Sequence, residues 1–139
     1  MTLDWDRLIS LIRKHDRFVL TSHIRPDCDA LGSELGMAGV LVAMGKEVVI
    51  VNGHQTPPIL SFLDPTGSIR VIGENILAAD VSGDCLIVLD TSAWAQLGPM
   101  AEVCGVSKGR RLLSTITLGK TIWEPNFSKT PVQRQPVIW

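Results

Sequence analysis

Residues 84–92 read "DCLIVLDTS" and constrain the fold more than any other stretch of this chain. Leu86, Ile87, Val88 and Leu89 are apolar in succession. A strand that shows no polar alternation suits a sheet covered on both faces, which in practice means a buried parallel strand. Three other stretches read in the same way. "RFVLTS" (17–22) is a short buried strand, "KEVVIVNG" (46–53) a second with a turn after it, and "SIRVIG" (68–73) a third.

Helical spacing fills the gaps between these strands. Trp5, Leu8, Ile9, Leu11 and Ile12 recur as an amphipathic helix over 4–14, with Thr2 or Asp4 to cap it. Leu31, Leu35, Val40, Leu41 and Met44 mark a second helix over 29–44, with Gly32, Gly36, Ala38 and Gly39 between them. Glycine costs about 1 kcal/mol in a helix interior relative to alanine, so this many predicts close packing of the helix on the sheet. "PPILSFLDP" (57–65) is a short helical turn stopped by Pro65, and a helix starts at Pro99 and ends near Gly109. Strand and helix in alternation argue for an α/β fold with a mostly parallel sheet flanked by helices.

The chain has 139 residues, enough for one domain or part of a larger protein. Its net charge of −1 gives no electrostatic footprint for duplex nucleic acid or a membrane surface, although a small basic pocket stays open. No apolar run approaches the roughly 20 residues of a membrane span. Cys28, Cys85 and Cys104 are odd in number and lack CxxC spacing. With no signal peptide, they read as reduced thiols of a cytoplasmic protein.

The chemistry concentrates in "TSHIRPDCDALGS" (21–33), where an apolar run gives way to His23, Asp27 and Asp29. Ligands of parallel α/β sheets gather at the carboxyl ends of the strands. His23, Asp27 and Asp29 follow one such end, and Asp90 stands at the end of "LIVLD". If both strands are central, the four side chains converge at one rim. Imidazole with carboxylates suits Mn²⁺ or Mg²⁺. A bridging aspartate permits two ions roughly 3.5–4 Å apart, which hold a hydroxide for in-line attack on phosphorus. Ser22 or Ser33 can donate to a phosphate, and the backbone N–H groups of Gly32 and Ser33 can face an anion. Plainer readings stand beside these. Asp27 and Asp29 can turn the loop and cap the helix, and a lone histidine is commonly a surface hydrogen-bonding group. His15, His54 and the cysteines read as structural, the cysteines among core neighbours.

"SHIRPDCDALGSELG" resembles the first motif of the DHH phosphoesterases, and "LIVLDTSAWAQLG" is similar to their second. The resemblance covers about residues 3 to 112. It is strongest to the RecJ-like, exopolyphosphatase-related branch of oligoribonucleases that also act on phosphoadenosine phosphate. It implies a doubly wound domain, two Mn²⁺ ions, and short single-stranded RNA or a small phosphonucleotide as substrate, with dimers among the intact proteins. By matched position, His23 and Asp27 would bind one metal, Asp29 the other, and Asp90 both. Asp29 and Asp90 would thus be the catalytic pair, and Ser33 would contact phosphate.

The family continues with an Asp-His-His signature, a further metal-binding aspartate and a second domain carrying a glycine-rich stretch. Here "KGRR" is followed by "LLSTITLGKTIWEPNFSKTPVQRQPVIW". Joining the third base of each codon to the first two bases of the next permits V-I-D-H-H from residues 112–117. The same shift permits D-D-L-G from 120–124 and A-E-F-F-K-D from 124–130. The run of matches implies a base lost near the codon for Leu112. The expectation is an N-terminal part of a DHH domain over 1–111, a poorly ordered out-of-frame tail over 112–139, no second domain, and an inactive chain. A non-catalytic metal- or nucleotide-binding module, or an unstable fragment of a disrupted gene, are the alternatives.

Overall fold

The structure, a computed structural model, describes residues 5–91, 94–105 and 114–118. Thr2, Asp4, the 106–109 end of the helix expected from Pro99, and most of the 112–139 tail lie outside the described residues.

Among the described residues five strands form one parallel sheet. They are β1 (Arg17–Thr21), β2 (Glu47–Asn52), β3 (Arg70–Val71), β4 (Cys85–Leu89) and β5 (Ser114–Leu118), in the spatial order β3-β2-β1-β4-β5. The helices are α1 (Trp5–Lys14), α2 (Cys28–Ala43) and α3 (Met100–Gly105). Short 3₁₀ turns lie at Pro58–Leu63, Ala78–Asp80 and Trp94–Leu97.

Every residue of β4 is buried, as its unbroken apolar run requires. Successive side chains alternate between two cores. Phe18, Leu20, Cys85 and Ile87 join Leu8 and Ile12 of α1 and Leu31 and Leu41 of α2 on one face. Val19, Leu86 and Val88 join Met100 and Val103 of α3 on the other. The expected α/β fold with both sheet faces covered is therefore the observed one. β3 is cut to two residues because the chain turns on either side of it, through Gly67 (φ +64) and Gly73 (φ +85).

Four details depart from the sequence reading. A Cβ added at Gly32, Gly36 or Gly39 would meet nothing within 4 Å. The glycines of α2 thus look outward and are not there for close approach. The helix meets the sheet through Ala30, Leu31, Glu34 and Leu41. Trp5, Ile9, Val40 and Met44, placed among the core-facing positions, are exposed. Cys28 is exposed on the first turn of α2, whereas Cys85 is core, its thiol pushed up to about 12 by burial and by the adjacent Asp84 charge. Finally, 114–118 carries a strand where no element was expected, each residue of β5 paired in parallel with one of β4. Among the described residues no helix is long and apolar enough to cross a membrane.

Candidate metal centre

The chain runs from β1 outward to β2 and β3, then returns to place β4 on the other side of β1. The order therefore reverses between β1 and β4, and the crevice beyond their carboxyl ends is where ligands bind in open parallel sheets. His23 stands two residues past β1 and Asp90 directly past β4. His23 Nε2 lies 3.5 Å from Asp90 Oδ2 and 3.8 Å from Asp27 Oδ2. One ligand atom from each of the three falls within 4.8 Å of the others.

Local structure holds each member. Asp90 has φ +55, a left-handed conformation that aspartate tolerates better than most residues and that ends the strand abruptly. Asp27 is the N-cap of α2. Its Oδ1 accepts from Ala30 N at 2.8 Å while Oδ2 faces His23, so the cap leaves one carboxylate oxygen on the side of the trio. The loop after β4 is pinned to the loop after β1, with Ile24 N donating to Gln96 O at 2.6 Å. Thr91 Oγ1 donates to Gln96 Oε1 at 2.6 Å. Gly53 and Gly98 allow this approach. A Cβ on Gly53 would lie 2.9 Å from Pro99 Cδ, and one on Gly98 would collide with Ile24 Cγ2.

Donor chemistry fits a cation here. His23 Nδ1 lies 2.8 Å from Ile24 O. Nδ1–H donating to that carbonyl leaves the Nε2 lone pair of neutral imidazole pointing at two carboxylate oxygens. Three acceptors converge, an arrangement that a divalent ion or a proton on Nε2 must relieve. A backbone carbonyl fixing the tautomer from behind is the usual support of a metal-binding imidazole.

Asp29 lies in the first turn of α2, exposed, and outside this trio. Ser33 is exposed further along the same helix. Ser22 is sealed inside with 1% of its surface accessible, so it cannot reach a bound phosphate.

Beneath the rim lies a buried polar group that the sequence reading missed. Asn52 Nδ2 donates to Glu34 Oε2 at 3.0 Å. Asn52 Oδ1 accepts from Ser22 N at 3.3 Å and from Thr21 Oγ1 at 3.4 Å. Burial pushes the Glu34 carboxyl up from 4.5 to about 7, against the opposing pull of Asn52, of Ser22 and, when its ring is protonated, of His23. The Ser22 hydroxyl exerts that pull from beyond good hydrogen-bonding geometry, and among the described residues Ser22 Oγ and Glu34 Oε1 have no partner. Spacing held the clue: Glu34 falls three residues after Leu31 and seven before Leu41, on the buried stripe of α2.

A histidine–carboxylate trio at the reversal point of a parallel sheet defines a candidate metal centre. The chain resembles the DHH phosphoesterases in sequence and in fold, and two relatives carry that likeness. One is the "Probable bifunctional oligoribonuclease and PAP phosphatase NrnA" of Streptococcus mutans, 28% identical over 86 residues, which are 61% of this chain and 25% of that protein. The other is the crystal structure of an exopolyphosphatase-related protein from Bacteroides fragilis, with a TM-score of 0.73 and 25% identity, covering 88% of this chain and 36% of that one. The chain spans only a quarter to about a third of these relatives' lengths. No family model matches it.

Proposed function

We propose that this chain carries the metal-binding part of a DHH-type phosphoesterase acting on short oligoribonucleotides or 3′-phosphonucleotides. The observation that carries the reading is the meeting of His23 and Asp90 at 3.5 Å across the β1/β4 rim. His23, Asp27 and Asp90 would hold one Mn²⁺ or Mg²⁺, and Asp29 and Asp90 would serve a second. When bound, the cations supply an activated water and neutralise charge on the phosphate. His23 contributes Nε2 as a neutral donor, kept in that tautomer by Ile24 O. Asp27 aligns one oxygen with the centre because its other oxygen is tied to the start of α2. Asp90 contributes a charge whose direction is set by its left-handed backbone.

We infer further that this chain hydrolyses its substrate poorly. β5 stands beside β4, where the resemblance expects a strand ending in Asp-His-His, and its five residues, "STITL", bring neither imidazole nor carboxylate. The codon-shift reading of residues beyond 111 supplies the reason, and resequencing the locus tests it.

Mn²⁺ titration followed by electron paramagnetic resonance tests the centre. The full chain should bind Mn²⁺, and His23→Ala and Asp90→Asn should each weaken it at least about tenfold, the scale on which ligand-shell changes act. Unchanged binding in both variants would remove the metal reading. Release of mononucleotides from a short RNA should stay near background, and robust turnover would overturn the reading of the tail.

A further inference from the structure

A second concave feature lies on the same rim, away from β4. A cleft of about 400 Å³ opens over the ends of β1, β2 and β3. That volume falls within the range of small-molecule sites. Arg25 enters it from the loop after β1, His54 and Gln55 from the segment after β2, and Ile72 and Glu74 from the turn after β3.

The lining is ordered by charge. Arg25 is two residues from His23, on the strand loop that also builds the metal centre. Glu74 lies in the turn after β3, and β3 is two strands away from β1 in the sheet order. The cleft thus has a cationic end toward the metal centre and a carboxylate end away from it, with Val71 and Ile72 as apolar surface. Among the described residues Arg25 makes no ion pair, so its fork of donors is available. Its φ of +53 is a conformation that arginine adopts rarely. Glu74 is held at the far end by Gln55, whose Nε2 donates to Glu74 Oε1 at 2.6 Å. That bond occupies one oxygen and leaves Oε2 to accept.

We propose that this cleft binds one nucleoside monophosphate unit, with phosphate at Arg25 and an amino-bearing base, cytosine or adenine, at Glu74. Arginine is the side chain best matched to phosphate geometry. A carboxylate accepts from the exocyclic amino group of cytosine and opposes the carbonyl oxygen that uracil presents at the same position. Imidazole at His54 offers a planar face for a base. The direction of the bound unit, phosphate inward, rests on the phosphoesterase reading of the neighbouring centre; occupancy of the cleft does not.

The test uses the full chain with CMP, UMP and ribose 5-phosphate, each titrated by NMR with EDTA present. CMP should bind about fivefold tighter than UMP, the low end for a single base-edge pairing at an exposed site. It should also bind tighter than ribose 5-phosphate. Glu74→Gln should erase the CMP preference, because an amide can donate to uracil as readily as it accepts from cytosine. Arg25→Gln should weaken CMP and UMP together and leave their ratio intact. No CMP binding, equal affinity for CMP and UMP, or a preference that survives Glu74→Gln would each overturn the proposal. Mn²⁺ binding measured on EDTA-free samples of the same protein separates the two readings. Nucleotide preference without Mn²⁺ sinks the hydrolase and keeps the cleft, and Mn²⁺ without nucleotide preference does the reverse.

Discussion

Glu34→Gln is the most informative single change in this structure. The side chain is fully buried and its carboxyl titrates at about 7 instead of 4.5, because burial penalises the charged form. An acid displaced that far carries about 3 kcal/mol of differential free energy between its two protonation states. The sign follows from linkage. Below pH 4.5 the group is protonated in both folded and unfolded chains and costs nothing. As pH rises through the unfolded value and on to about 7, the unfolded chain releases its proton first, so stability falls. Wild type should therefore lose on the order of 3 kcal/mol between pH 4.5 and 8, a large share of the 5–15 kcal/mol typical of a domain. Glutamine keeps an oxygen for Asn52 Nδ2 and gains an amide that can donate toward Ser22 Oγ, which has no partner. Urea denaturation with EDTA present, at pH 5 and at pH 8, reads the difference. Glu34→Gln should be nearly flat across this window and more stable than wild type at pH 8. Parallel pH dependences in the two proteins would show that Glu34 does not titrate in this range.

Three further outcomes follow from the geometry. Gly98→Ala should destabilise by about 1–3 kcal/mol, through a left-handed backbone and a collision with Ile24, and should weaken Mn²⁺ binding because Ile24 adjoins His23; a thermal melt and an Mn²⁺ titration check both. Asp27→Asn should keep the cap of α2 and lose Mn²⁺ affinity, whereas Asp27→Ala should lose affinity and about 1 kcal/mol of stability, so comparing the two by denaturation separates the roles. Gly36→Ala should stabilise by about 0.5–1 kcal/mol, since a methyl group there meets open space; a lowered melting temperature would restore the close-packing reading of α2.

Those parts of the fold that were legible in the sequence are the ones with a single explanation. The run from Leu86 to Leu89 can be satisfied only between two covered faces, and it became the fully buried β4. Placing His23 and Asp90 at one rim needed only that β1 and β4 be central and parallel, which they are. Glycine was misread because its cost in a helix can be offset by packing or merely tolerated at the surface, and spacing does not distinguish these. Glu34 was passed over because an acidic residue is expected outside, although its place on the stripe with Leu31 and Leu41 said otherwise. Asp29 lies next to the right loop, in the first turn of α2, and is not one of the three residues whose ligand atoms converge. The alternating Thr115, Ile116 and Thr117 of β5 had strand character that the comparison with the family's signature overshadowed.

His23 and Asp90 meet only because a segment of more than sixty residues, holding α2, β2 and β3, is completed between them. Joining strands that far apart is a long-range closure, the kind of event that slows folding and leaves little of the cluster in a partly assembled chain. A cation captured at that seam would favour the finished topology over every intermediate one, so occupancy would report on assembly as well as on chemistry.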